Sequence, residues 1–219
     1  MNHLYCYKMT WDTEFAPNPY CGVLTLATCK PTIRRCAMIG DWVSGWAART
    51  VHDNDRLAYS YKEGQNLIYL AKIIKKIPFE QYWNEYPEKR PKVLNTEGTR
   101  VANGCGSRRS GSKVKYDVGD NIYEPSDNGD FIQHENSNHF EWDKLHDLSG
   151  KNVLICDEFY YFGVKNALRI EKDLFSFIIP RCKKIALNDA SSLIDFITDR
   201  FVPGIIKKDN EDNIEQKRF

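Results

Sequence analysis

The sequence lacks the segments that mark membrane, secreted and zinc-binding proteins. No apolar run approaches the roughly 20 residues that a membrane helix needs, and residues 1–12 show no basic segment followed by an apolar stretch. None of the seven cysteines stands in a C-x-x-C pair, the short spacing by which structural zinc sites are usually recognised. We therefore expect a globular, cytoplasmic protein with free thiols, no membrane association, no metal and no other cofactor.

Two common catalytic motifs are missing as well. The glycine-rich stretch 104–111 does not end in the Gly-Lys-Ser/Thr of a phosphate-binding P-loop, and no Gly-x-Ser-x-Gly nucleophile elbow occurs. Cys29 is the thiol of most interest, because the cationic side chains that follow it, beginning with Lys30, favour a thiolate. Neighbours in sequence need not be neighbours in space, so the sequence favours an inert thiol.

Charge is balanced over the whole chain but not along it. Thirty-one Lys and Arg oppose thirty Asp and Glu, for a net charge of +1. Residues 88–115 carry eight basic and two acidic side chains, whereas residues 116–147 carry one basic and nine acidic ones. Either the two stretches neutralise one another, or the basic one contacts phosphates. The cations available for such contacts are Arg100, Arg108, Arg109, Lys113 and Lys115.

The length and the hydrophobic pattern predict one mixed domain. A chain of 219 residues with 42% hydrophobic and 28% charged residues is typical of a globular protein. Strand patterns cover residues 4–9, 22–28, 42–46, 67–77 and 152–156, and helix patterns begin at residue 78 and span residues 189–201. Because strands and helices do not alternate regularly, we expect an α+β fold, a mainly antiparallel, partly closed β-barrel flanked by helices. The predicted organisation is a single domain at 1–205, a loop-rich basic insertion at about 88–115 and a charged tail at 206–219.

Three histidines, His134, His139 and His146, lie within thirteen residues, among Asn and Glu side chains. Histidine is the usual acid–base group near neutral pH, but a loop histidine is more often structural or simply exposed. His139 is the best candidate of the three, because it also lies in a segment that carries a family resemblance.

That resemblance rests on three segments. The first covers residues 15–42 and contains FAPNPY, LTLATCKP, IRR and GDW. The second is LIYLAK at 67–72 with the aromatic residues up to Trp83, and the third is GDNIY at 119–123 with His139 and YYFG at 160–163. Over residues 1–180 the chain resembles the second nucleotide-modification-associated domain family, found in bacteria and phages near genes for DNA base modification. The resemblance implies a role with modified nucleobases or nucleotides and in phage–host conflict, and it implies no particular catalytic residues.

A second resemblance is to the PUA-like barrels of the ASCH, EVE and YTH type. In those barrels a Gly-Asp turn leads into a strand, as at residues 40–43, and a later strand leads into an aromatic-bearing helix, as at residues 67–83. This resemblance implies a barrel that holds a base in an aromatic-walled pocket, although fold alone does not determine function.

The favoured hypothesis is a binding module for a nucleotide or a modified base, with DNA as a further candidate partner. An extruded base needs aromatic rings for stacking and polar groups for its Watson–Crick edge. The candidates are Trp42, Trp46 and Tyr20 for stacking, Asn18 and either Asp120 or Asn121 for the edge, and Lys30, Arg34 and Arg35 for phosphate. The competing interpretation is that Trp42 and Trp46 are core residues on one face of a strand.

The alternative hypothesis is an enzyme that acts on a nucleotide or on DNA, by base transfer or glycosidic-bond chemistry. Its candidate residues are His139 as the acid–base group, Asp41 or Asp120 as the carboxylate, and Lys30 or Arg34 as the phosphate contact. Each Asp follows a glycine, so a simple Asx turn is the competing interpretation. A third hypothesis is a protein-interaction role in which the basic loop 100–115 is the contact surface. The oligomeric state is not predicted.

Overall fold

The structure of the protein is a computed structural model that describes residues 2–61, 65–94, 115–179 and 181–206. Most of the predicted basic insertion lies outside the described residues, as does the predicted tail beyond Ile206. The phosphate contacts and the protein-contact surface predicted for that insertion therefore stay predictions.

Strands account for most of the regular structure in the described ranges. They are β1 (His3–Asp12), β2 (Leu24–Leu26), β3 (Trp42–Asp53), β4 (Ala58–Ser60), β5 (Gln65–Lys72), β6 (Lys75–Pro78), β7 (Val93–Leu94), β8 (Lys115–Tyr116), β9 (Tyr123–Pro125), β10 (Phe131–Gln133), β11 (Asn152–Cys156), β12 (Phe159–Tyr161), β13 (Leu168–Ile170), β14 (Cys182–Ala186) and β15 (Gly204–Ile205). The helices are α1 (Pro31–Cys36), α2 (Phe79–Glu85), α3 (Lys144–Leu148) and α4 (Ser191–Arg200). Short 3-10 turns occur at Pro87–Lys89, Glu141–Asp143, Val164–Asn166 and Leu187–Ala190.

The main sheet has the strand order β14-β1-β3-β5-β12-β15, with β4 paired to β3 and β13 paired to β5. Strands β1 and β3 run parallel, and so do β12 and β15, whereas the other pairs are antiparallel. A smaller antiparallel sheet has the order β2-β11-β6. The remaining strands form two short antiparallel pairs, β9 with β10 and β7 with β8.

Both faces of the main sheet are buried, because alternate residues of its strands enter different cores. Leu4 and Cys6 of β1 belong to one cluster, which also contains Leu193 of α4, while Tyr5 and Tyr7 belong to another. Helix α4 therefore covers one face, and the smaller sheet covers the other.

The smaller sheet is itself covered on its outer side. Leu154 of β11 faces the main sheet, whereas Val153 and Ile155 face a third cluster with Phe79 and Tyr82 of α2. The result is a layered arrangement in which the smaller sheet lies between the main sheet and the cluster that contains α2.

The predicted α+β class is confirmed, and several elements lie where the pattern places them. Strand β11 matches its predicted range, and α4 covers most of the predicted helix at 189–201. The predicted strand at 67–77 is two strands, β5 and β6, that belong to different sheets. Within the described residues the main sheet is open rather than closed into a barrel, so the PUA-like barrel is not confirmed. The described part of the chain contains no helix that is long and apolar enough to cross a membrane.

Candidate active site

Cys29 lies in the turn that connects β2 to α1, and its backbone is left-handed. Its φ is 56°, and the following Lys30, which precedes the first helical residue Pro31, has φ 41° and ψ 47°. Two successive non-glycine residues in this region are uncommon, and such strain persists only where surrounding contacts hold it. The turn leaves Cys29 partly exposed, whereas the strand residues before it are buried.

His139 approaches Cys29 from the loop between β10 and α3. Its Nε2 lies 3.4 Å from Cys29 Sγ, and its ring packs edge-on against Phe15 with centroids 5.0 Å apart. The loop is shaped by Asn136, whose Oδ1 accepts the backbone N–H groups of Asn138 and His139 at 2.8 and 2.6 Å. This Asx-type turn holds the buried imidazole beside the thiol.

Asp147 completes the arrangement from α3. Its Oδ2 lies 2.6 Å from His139 Nδ1 and accepts the Tyr123 hydroxyl at 2.7 Å. Its Oδ1 accepts the backbone N–H of Cys29 at 2.6 Å, so one carboxyl group holds both the imidazole and the turn of the thiol. Burial would raise the pKa of this carboxyl, but the hydrogen bonds from His139, Tyr123 and Cys29 outweigh it and lower the pKa. Asp147 is therefore ionised at neutral pH.

An ionised carboxylate only accepts hydrogen bonds, so the imidazole proton is assigned to Nδ1. Nε2 then faces Cys29 Sγ with its lone pair. The order thiol, imidazole and carboxylate is the order of nucleophile, general base and orienting group in covalent catalysis. The site can thus take a proton from Cys29, hold it on His139 and stabilise the resulting cation with Asp147.

Arg34 of α1 ties the parts of this site together. Its guanidinium is completely buried and donates to the backbone carbonyls of Cys29 at 2.7 Å, Asn152 at 3.0 Å and Asp147 at 2.5 Å. Burial lowers its pKa, and the nearby Asp147 carboxylate, 4.0 Å away, opposes that shift. Gly150 gives the guanidinium room, since a Cβ there would lie 2.4 Å from Arg34 Cζ.

Other predicted site residues lie in separate buried networks. Asp120 accepts the hydroxyls of Thr25 at 2.7 Å and Tyr82 at 2.6 Å. Burial raises the pKa of this carboxyl, although the nearby Lys89 acts to lower it. Asn121 donates to the carbonyls of Tyr82 and Tyr86, at the end of α2. Each of these polar groups has partners within the fold.

Asn18, predicted as a base-edge contact, and Asp41, predicted as a catalytic carboxylate, also bond within the fold. Asn18 donates to Val118 O at 2.6 Å, and its Oδ1 accepts from Lys89 Nζ at 2.8 Å. Asp41 accepts the backbone N–H groups of His3 and Met38, both at 2.8 Å. Both side chains therefore hold turns in place.

The predicted aromatic and basic residues are divided between core and surface. Trp46 is fully buried and stacks on Phe175 with centroids 4.9 Å apart, and Trp42 is 5% exposed in the same core. The remaining three are more accessible. Tyr20 donates to Glu14 at 2.6 Å, Lys30 Nζ lies 4.7 Å above the Tyr7 ring, and Arg35 donates to Ser149 O at 2.7 Å.

Of the predicted site residues, the structure brings His139 and Arg34 together with Cys29. Asp147 and Tyr123 were not predicted from the sequence, and no local pattern links either of them to a thiol more than 90 residues earlier in the chain. Among the described residues, no group of three or more His, Cys, Asp or Glu side chains is arranged to hold a metal ion.

The comparison with protein families agrees with the resemblance seen in the sequence. The model of nucleotide modification associated domain 2 matches residues 1–215. The chain belongs to this family. Membership associates the chain with nucleotide modification, and the matched range contains Cys29, His139 and Asp147. No curated protein and no solved structure matches the chain.

Proposed function

We propose that the protein is an enzyme of nucleotide or nucleic-acid modification that uses Cys29 as a covalent nucleophile. His139 is its general base and acid, and Asp147 orients the imidazole. The observation that carries the proposal is the order of the three groups, with 3.4 Å from Sγ to Nε2 and 2.6 Å from Nδ1 to the carboxylate. Both distances suit proton transfer, and Cys29 is the partly exposed member that a substrate would reach.

The reaction class that fits this chemistry is acyl transfer on an amide or ester substituent of a nucleotide or base. His139 Nε2 takes the thiol proton, and Sγ attacks the carbonyl carbon. The C–N or C–O bond then breaks, and the leaving amine or alcohol takes the proton from His139, so a thioester remains on Cys29. Water or an acceptor amine gives a proton to His139 and attacks the thioester carbonyl. The C–S bond then breaks, the acid or amide leaves, and Sγ takes the proton back from His139.

Two groups of the site hold its parts in position and take no direct part in the chemistry. The backbone N–H of Cys29 is already bound to Asp147, so it holds the thiol in place rather than stabilising an oxyanion. Arg34 donates its hydrogen bonds to three backbone carbonyls. We therefore assign it a positioning role in place of the predicted phosphate contact. Lys30, adjacent to the thiol, and the exposed Arg35 are retained as phosphate contacts.

Incubation with a pool of ordinary and acyl-substituted nucleotides tests the proposal by mass spectrometry. We expect one acyl nucleotide to lose its substituent, and a rapidly quenched sample to carry the acyl mass on the Cys29 peptide. Cys29→Ala abolishes both signals, whereas Cys36→Ser, at an exposed thiol, leaves them unchanged. Turnover that persists at the wild-type rate in Cys29→Ala contradicts the proposal.

A binding module without chemistry is the second candidate. The observation in its favour is that Asp147 also accepts from Tyr123 and from the Cys29 backbone. Because the network thus joins three segments of the fold, it has a structural role that requires no chemistry. In that case a nucleotide or modified base is retained unchanged in the mass-spectrometric experiment, and the substitution Cys29→Ala does not affect its retention.

We also propose that residues 1–205 form one domain. Strand β14 pairs with β1 at the start of the chain, and β15 pairs with β12. The C-terminal part of the described chain thus completes the same sheet that the N-terminal part begins, which supports a single cooperative unit. One unfolding transition by both circular dichroism and tryptophan fluorescence is expected.

A further inference from the structure

A cleft lies at the other end of the loop that carries His139. Its volume is about 450 Å³, within the range of roughly 300–1,000 Å³ that is typical of small-molecule sites. Its lining residues are Trp83, Arg90, Pro91, Tyr116, Glu124, His134 and Glu135. The loop therefore begins with His134 in this cleft and ends with His139 beside the thiol.

Three flat groups are layered in this cleft. The Arg90 guanidinium carbon lies 3.8 Å from the centre of the Trp83 ring, and the His134 ring lies 4.9 Å from that ring with an angle of 22° between the planes. Trp83 is 9% exposed, so it is a fixed base on which the two more exposed groups rest. Such a stack presents flat, polarisable surface to a planar ligand.

The polar groups of the cleft are mainly acceptors. Glu124 Oε2 lies 2.6 Å from His134 Nε2, and Glu135 Oε2 accepts the Tyr116 hydroxyl at 2.6 Å. Each bond uses one carboxylate oxygen, and a carboxylate has about four acceptor positions. Arg90 donates through one terminal nitrogen to Trp83 O, while its Nε is buried and has no hydrogen-bond partner in the described part of the chain.

The position of Arg90 is built into the backbone. Gly119 packs so closely that a Cβ there would lie 2.6 Å from the backbone carbon of Arg90 and from Lys89 O. The N–H of Asn121 donates to Lys89 O at 3.1 Å. The Gly119–Asn121 turn, a segment of the family resemblance, thus holds the wall of the cleft.

We propose that this cleft binds a nucleobase that carries an exocyclic amino donor on its edge, as guanine, adenine and cytosine do and uracil does not. The base stacks against the layered groups, its N–H donors bind the free acceptor positions of Glu124 and Glu135, and a ring acceptor binds Arg90. Carboxylates on one wall disfavour a phosphate at that point and favour an edge that donates. The proposal rests on the proposed function only in taking the ligand to be a nucleotide.

Binding of guanosine, adenosine, cytidine and uridine to the full chain, followed by isothermal titration calorimetry, tests the cleft. We expect guanosine, which presents two adjacent donors, to bind at least about tenfold more tightly than uridine, as expected when a carboxylate accepts both donors. Glu135→Gln and His134→Ala each weaken guanosine binding by about tenfold or more. Glu171→Gln, an exposed carboxylate that pairs with Arg169, is the matched control and leaves binding unchanged.

Four equal affinities, an absence of binding to wild-type protein, or unchanged binding in both cleft variants would overturn the proposal. Circular dichroism of each variant separates a local effect from unfolding. Cys29→Ser distinguishes this site from the proposed chemistry, because it removes turnover while nucleoside binding in the cleft persists. If Cys29→Ser has full turnover and binding persists, the proposed chemistry fails and the cleft stands.

Discussion

His139 Nδ1 and Asp147 Oδ2 are 2.6 Å apart, and their side chains are 4% and 0% exposed. A hydrogen bond to a charged group is stronger than a neutral one, and in a site shielded from water it fixes both the ring orientation and the tautomer. The other ring nitrogen, Nε2, then faces Cys29 with its lone pair. The hydrogen bond to Asp147 therefore makes His139 available as a base for the thiol. The first two predictions follow from it.

His139→Ala lowers the rate at which iodoacetamide alkylates Cys29 near neutral pH. The reactive species is the thiolate, and the substitution removes the imidazole that lies 3.4 Å from Sγ and takes its proton. We expect a decrease of at least about tenfold in alkylation, and of about 100-fold or more in turnover. Peptide mass spectrometry measures the alkylation. The exposed Cys36 in the same molecule is the internal control, and equal rates at Cys29 in both proteins would falsify the base assignment.

Asp147→Asn preserves the shape of the site but removes the charge that orients His139. The amide can donate to the imidazole, which permits the tautomer with its proton on Nε2, the wrong one for a base. Turnover is expected to fall by about 100-fold or more, while calorimetric nucleoside binding in the cleft of Trp83 and Arg90 is retained. Loss of binding together with activity would instead indicate that the substitution disturbs the fold.

The Asp147 carboxyl also makes the free energy of unfolding depend on pH in the acidic range. Because the folded protein lowers the pKa of Asp147, its contribution is present above the unfolded pKa near 4 and is lost as pH falls through the lower folded pKa. Urea midpoints measured between pH 5 and pH 2 should fall less steeply in Asp147→Asn than in wild type. A parallel pair of curves contradicts this linkage.

Asp12 has the opposite effect on the pH dependence of stability, because the fold raises its pKa. Burial raises its pKa to about 6, although the hydrogen bonds from Tyr161 and the Val164 N–H act to lower it. Between pH 4 and 6 the folded state therefore holds a proton that the unfolded state has lost, so stability decreases as pH rises through this window. The difference amounts to on the order of 3 kcal/mol. Asp12→Asn removes this dependence, whereas the exposed Asp195→Asn keeps it, and urea unfolding at each pH measures both.

Arg34→Lys separates positioning from charge. A lysine retains the positive charge but cannot reach three carbonyls with the geometry of the guanidinium, which leaves buried carbonyls of Cys29, Asn152 or Asp147 without a donor. We expect a loss of about 2–4 kcal/mol in the free energy of unfolding and slower alkylation of Cys29. Arg35→Lys, on the exposed side of the same helix, changes either quantity little. Equal effects of the two substitutions contradict the positioning role.

The elements that could be predicted are those whose pattern is local. Strand β11 is a short apolar run, and α4 has apolar positions at helical spacing, so neither depends on distant residues to be recognised. The strand pattern at 67–77 is split because residues 73 and 74 leave the main sheet and β6 pairs with β11, more than 70 residues later. The open main sheet could not be predicted from the sequence pattern, because strand order depends on long-range pairing.

The candidate site also contains some residues that the sequence could indicate and others that it could not. His139 could be proposed from its residue type and its segment, but Asp147 and Tyr123 have no local mark that points to Cys29. Asp120 and Asp41 share the Gly-Asp pattern of a functional turn, yet each bonds to neighbouring hydroxyl or N–H groups of the fold. Residue type indicates what chemistry a group can perform, and only its partners in space indicate whether it is free to perform it.

The sequence by itself determined the α+β class, the family and the candidacy of His139, since composition, periodicity and motif order are properties of the chain. The tertiary structure decided that Cys29 meets His139 and Asp147, because a hydrogen bond requires atoms within a few ångströms and these residues are up to 118 positions apart. It also decided that Arg34 and Trp46 are enclosed by the core, since burial depends on the packing of layers that no single segment encodes.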